Sequence, residues 1–105
     1  MPEMTIDTIR QHLRPVIPDG AKALLFGSRA RGTQRSDSDW DILILLNHDG
    51  NSSWEDYDTV GYPVNMVFWQ LGQDVNTIIQ TQSEWQAKSF SPFYKNVMHD
   101  AIAIT

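Results

Sequence analysis

The chain has 105 residues, 8 Lys and Arg against 13 Asp and Glu for a formal net charge of −5, and 41% hydrophobic residues. A chain of this length buries more than ~60% of its unfolded surface, enough for one modest core, so 1–105 is expected to be a single domain. The acidic balance excludes a groove for polymeric nucleic acid, which needs a basic stripe, and the lack of cysteine excludes disulfides, thiolate metal sites and cysteine nucleophiles.

Thr5 can cap a helix that places Ile6, Ile9, Leu13 and Ile17 at helical spacing, with Pro15 and Pro18-Asp19-Gly20 ending it. Ala21 to Phe26 reads as a short buried strand running into Gly27, followed by a small, basic, turn-prone stretch from Ser28 to Gly32 and a polar one from Thr33 to Ser38. Ile42 to Leu46, the longest apolar run, is the pattern of a strand covered on both faces. It falls far short of the ~20 residues of a membrane helix, and no signal-like stretch precedes it, so a soluble, cytoplasmic protein with no membrane partner is expected. Asn47 to Ser53 closes that strand as a loop.

The stretch from Trp54 to Leu71 alternates locally like a strand, but Tyr57, Val60, Val64, Val67, Phe68 and Leu71 fall at helical spacing. A helix is expected, kinked or starting late at Pro63, with Gly72 at its C-terminus. Val75 to Thr81 is the next strand, Ser83 caps a helix to Lys88, and Ser91-Pro92 starts another that turns Phe93, Val97 and Met98 to one side. Ala101 to Ile104 is a short apolar tail. Helix, strand, loop, strand, helix, strand, helices describes an α/β or α+β domain of three to four strands with helices packed on the sheet.

Chemistry concentrates in Phe26 to Leu46. Gly27, at a strand end, lets a phosphate approach the backbone, and Ser28 adds a hydroxyl. Arg29, Arg31 and Arg35 follow closely. Strand alternation puts Asp39 and Asp41 on one face and Trp40 on the other, where it is expected in the core. Two carboxylates together repel each other unless a cation neutralises them, and they offer the hard oxygen donors that Mg2+ takes. Arg35, and on one reading Arg29 and Arg31 too, are solvated surface charges. His12, His48 and His99 have no ligand spacing, and Phe93 and Tyr94 are expected in the core.

Together FGSRARG and SDWDILIL resemble the signature of the polymerase β-like nucleotidyltransferase superfamily, in particular its minimal nucleotidyltransferase branch: a hydrophobic residue, Gly-Ser, then Asp-x-Asp opening a strand. LGQDVNTII and SPFYKNVMHDAIAI resemble the family's later segments. The resemblance implies a palm with a small mixed sheet flanked by helices, and transfer of a nucleoside monophosphate from an NTP, with ATP expected, to a hydroxyl of a protein or small-molecule acceptor. Gly27 and Ser28 would hold phosphates, with Arg31 and Arg29 neutralising their charge, and Asp39 and Asp41 would be the catalytic pair that binds Mg2+.

The family's third carboxylate is missing. Asn76 stands in its context, an uncharged residue that cannot act as a base; Asp74, two residues earlier, is the alternative third ligand but lies ~7 Å along the strand. A length of 105 residues leaves no room for the helical acceptor domain of larger relatives, so the acceptor site is expected to come from a partner protein or a second subunit. The minimal branch is often paired with a small helical HEPN-type toxin, which implies an antitoxin role. The alternative expectation is a catalytically impaired nucleotide-binding or antitoxin module.

Overall fold

In the computed structural model, which describes residues 4–105, the Thr5 hydroxyl accepts from the Thr8 N–H and helix α1 runs over Ile6–Leu13, burying Ile9 and Leu13. Pro15 follows in a single 3-10 turn, Arg14–Val16, because a residue without an N–H cannot continue the α-helical ladder. Strand β1, Lys22–Phe26, then delivers the chain to Gly27. The basic stretch expected as a turn is instead a one-turn helix, α2, Ser28–Arg31. Strand β2, Trp40–Leu46, starts at the tryptophan ahead of the aliphatic run.

The central arm is helical throughout. Helix α3, Trp54–Asp56, widens into a π-helical stretch, Tyr57–Gly61, and tightens again into α4, Tyr62–Gln70, with Pro63 in its first turn. The break expected at Pro63 is therefore a widening just before it. Gly72, at φ +71°, ends α4: its N–H bonds the Trp69 carbonyl at 3.0 Å and the Gln73 N–H bonds that of Phe68 at 2.9 Å.

Strand β3, Val75–Thr81, leads straight into α5, Gln82–Ala87. The cap expected at Ser83 is Thr81, because Thr81 and Glu84 cap each other's backbone N–H groups reciprocally. Helix α6, Pro92–Asp100, begins at Ser91 as expected. The apolar tail forms strand β4, Ile102–Ala103, on the free edge of β1.

The four strands make one mixed sheet in the order β3-β2-β1-β4. β1 and β2 are antiparallel, with Phe26 opposite Asp41. β2 and β3 are parallel, with Asp41 beside Asn76. A parallel neighbour needs a crossover, and the helical arm from Trp54 supplies it. The mixed sheet with flanking helices is the fold class the sequence suggested.

Alternation divides β2 between two cores. Trp40, Ile42, Ile44 and Leu46 join Ile9, Leu13, Val60, Val64 and Phe68, while Leu43 and Leu45 meet Trp85 and Val97 on the other face. Trp40 is thus in the core as expected. On α6 the expectation is corrected in part: Val97 is buried, but Phe93 and Met98 are 48% and 42% exposed. Among the described residues no helix is long and apolar enough to cross a membrane.

Thr81 ties three elements together. Fully buried, its hydroxyl donates to the Gly50 carbonyl at 2.7 Å and accepts from the Glu84 N–H at 3.1 Å. Burial works to raise the Glu84 pKa, but N–H donors from Thr81 and Ser52, each at 2.8 Å, outweigh it and hold the carboxyl below the usual range. Thr81→Ala removes a cap and the hydroxyl bond to the Gly50 carbonyl, so chemical denaturation should show a loss of about 1–2 kcal/mol, most of it restored by Thr81→Ser.

At the same end of the sheet His48 Nδ1 meets the Asp49 carbonyl at 2.9 Å and Nε2 meets the Asp56 carboxylate at 3.0 Å. The Asp49 carbonyl and then Asp56 raise the His48 pKa above 6.5; for Asp56, burial is outweighed by the Ser53 N–H and by His48, which hold it below 3.8. The pair's stabilisation should be complete between pH 3.8 and 6.5, fading as pH rises through the raised His48 value or falls through the lowered Asp56 value. NMR titration should place the His48 midpoint above 6.5, and His48→Asn should remove the alkaline loss of stability.

Candidate active site

Gly27 sits at φ +77°, ψ −160°, a backbone conformation open essentially to glycine alone. Space dictates the same choice. A Cβ at this position would run into the Asp41 carboxylate, reaching 3.1 Å from its Cγ. The turn into α2 therefore lies directly against the second carboxylate of the Asp-x-Asp pair, as the antiparallel pairing of Phe26 with Asp41 requires.

Asp39 lies just before β2, where the Trp40 N–H bonds the Asp74 carbonyl at 2.9 Å and brings β3 alongside. The parallel register then sets Asn76 beside Asp41. The Asn76 Nδ2 donates to Asp39 Oδ2 at 3.1 Å and to Asp41 Oδ1 at 3.2 Å, so one amide group joins both carboxylates. Of the two alternatives for the third position, Asn76 meets the pair. Asp74 is exposed, and the hydrogen bond it gives β2 comes from its backbone.

The two arginines divide in role. Arg29 is 7% exposed, its Nε and Nη2 donating to the Ser38 carbonyl at 3.1 and 2.9 Å and its guanidinium lying 4.5 Å from the centre of the Trp40 ring. It fastens the segment from Ser36 to Ser38 onto Trp40, because loop carbonyls and an aromatic face together suit a planar cation. Arg31 is half exposed and its Nη1 bonds Asp100 Oδ2 at 2.7 Å, leaving its other donors free of that pairing. The Arg31 hydrogen bond holds the Asp100 carboxyl below the usual range, against a smaller opposing effect of burial. Arg35 is exposed, as expected.

Asp100 and Gln73, whose carboxamide oxygen accepts from the Trp40 indole N–H at 3.0 Å, support the site and carried no sequence signal. Each acts through a partner more than thirty residues away. Phe26 and Phe93 meet edge to face at 6.2 Å, and Phe26, opposite Asp41, sets an aromatic wall on the carboxylate side of the sheet. Tyr94 packs on Trp85 at 4.7 Å in the second core.

The donor set at Asp39, Asp41 and Asn76 holds only oxygen and amide groups, with no thiolate or imidazole. It suits a hard divalent cation such as Mg2+ and does not suit zinc. Among the described residues no three His, Cys, Asp or Glu side chains gather as a metal cluster, so at this site the chain itself offers two carboxylates.

A family model described as a nucleotidyltransferase domain matches residues 5–97. Among solved structures, a chain from a crystal structure of a toxin-antitoxin with AMP-PNP shares the fold, with a TM-score of 0.63 and 22% identity over 97% of this chain and 73% of that one. No curated protein matches.

Gly27→Ala puts a side chain where neither the backbone nor Asp41 leaves room. It should cost about 1–3 kcal/mol in chemical denaturation, from the forbidden conformation alone. The same variant should displace Asp41 from Asn76, visible as a shift of the Asn76 side-chain amide resonances.

Proposed function

The chain belongs to the nucleotidyltransferase domain family, and on that premise we propose that it transfers a nucleoside monophosphate from ATP or another NTP to a hydroxyl of a protein or small-molecule acceptor. The observation that carries the reading is the convergence of Asp39 and Asp41 on Asn76, directly against the Gly27 turn. Carboxylates on one side and a tight glycine turn on the other are what a triphosphate with its cation requires.

In this reading Gly27 and Ser28 hold the terminal phosphates through backbone N–H groups at the start of α2 and the Ser28 hydroxyl. Arg31, anchored at one nitrogen by Asp100, presents its remaining donors to the phosphate charge. Arg29 acts at one remove by fixing the loop ahead of Asp39. Asp39 and Asp41 hold Mg2+, which when bound supplies charge neutralisation at the α-phosphate. The acceptor hydroxyl forms a bond to the α-phosphorus as the bond to pyrophosphate breaks. Asn76 cannot accept the hydroxyl proton, so that proton leaves through a carboxylate of the pair or through solvent.

We place the acceptor on a partner protein, with a HEPN-type toxin as the first candidate and the chain as its antitoxin in the cytoplasm. The likeness to a chain solved in a toxin-antitoxin crystal supports this choice. A second reading, a nucleotide-binding antitoxin module without turnover, is favoured by Asn76 in the place of the third carboxylate.

Incubation with labelled ATP, Mg2+ and candidate partners should transfer label to the acceptor, and Asp39→Ala/Asp41→Ala should abolish it. No transfer by the wild type with any partner, while the double variant still binds the partner tightly, would select the module.

A further inference from the structure

Asn76 does more than leave a charge out. Its Nδ2 carries two hydrogens and spends them on two different carboxylates, Asp39 at 3.1 Å and Asp41 at 3.2 Å. Adjacent carboxylates with no cation between them repel, and a donor shared by both offsets that repulsion without adding charge. The amide therefore stands where a cation would otherwise be needed.

We infer that Asn76 is a donor latch that closes the carboxylate pair in the absence of a cation and makes cation binding depend on nucleotide. The inference rests on the reading of Asp39 and Asp41 as ligands of the triphosphate's metal. A cation reaching the free site must displace the Asn76 donor and finds two charged ligands there in place of three. Mg2+ gives up its water reluctantly, so two carboxylates compete poorly for the free hydrated ion. An ion carried on a triphosphate brings anionic oxygens with it, and the carboxylates then need only exchange the amide donor for the ion.

The obvious alternative makes the Asn76 carbonyl oxygen a third ligand, and the two roles differ in the sign of their effect on the cation. A latch competes with the cation, whereas a ligand assists it. Removing the amide must then strengthen or preserve cation binding in the first case and weaken it in the second.

Mn2+ as the probe, read by electron paramagnetic resonance with and without a non-hydrolysable ATP analogue, tests this on the folded full chain. The wild type should bind Mn2+ at least ~10-fold more tightly with the analogue than without it, since the triphosphate adds charged ligands. Without nucleotide, Asn76→Ala should bind Mn2+ as tightly as the wild type or more so, and Asn76→Asp at least ~10-fold more tightly through its added charge. Weaker binding by Asn76→Ala, or no gain in Asn76→Asp, would overturn the latch while leaving the nucleotide site standing if the analogue still promotes Mn2+ binding. No Mn2+ binding by any of the three proteins, with or without the analogue, would overturn both the latch and the reading beneath it.

Discussion

Two carboxylates at the opening of a strand buried on both faces repel each other, and most of what surrounds them contains that repulsion. Asn76 bridges the pair with a single amide. Gly27 removes the one side chain that would push Asp41 aside. Two acidic side chains gathered by an amide against a glycine turn are the physical ground for proposing chemistry here.

The fold is organised to deliver these three side chains to one place. Asn76 lies beside Asp41 only because β3 runs parallel to β2 in this register, and parallel pairing forces a long crossover. The helical arm from Trp54 through α4 makes that crossover while burying Val60, Val64 and Phe68 against Trp40, Ile42 and Ile44. The same apolar burial that stabilises the domain therefore sets the register of the polar site. Trp40 links the two: its indole N–H bonds Gln73 beside β3, and its ring carries the Arg29 guanidinium that holds the preceding loop.

Local chemistry was largely legible in advance. Strands β1, β2 and β3, the caps at Thr5 and Ser91, and the helical period of the central arm follow from short-range patterns that the tertiary fold did not override. The departures also have physical causes. Thr81 replaces Ser83 as a cap because a reciprocal box with Glu84 satisfies more backbone groups. The tail Ala101 to Ile104 becomes β4 because β1 leaves an unpaired edge beside it. Phe93 remains half exposed because the second core is already filled by Trp85, Val97 and Tyr94.

By itself the sequence determined the kinds of groups present: a glycine turn, two carboxylates one residue apart on a strand, an amide in place of a third acid, and arginines after the turn. Spacing along a single strand carries that information, because alternation fixes which side chains share a face. Which groups meet across strands was decided only by tertiary structure. Asn76 and not Asp74 joins the pair, and Arg29 goes to the Ser38 carbonyl and Trp40 while Arg31 goes to Asp100. Register and long-range packing depend on the whole core at once, and no local pattern in the chain encodes them.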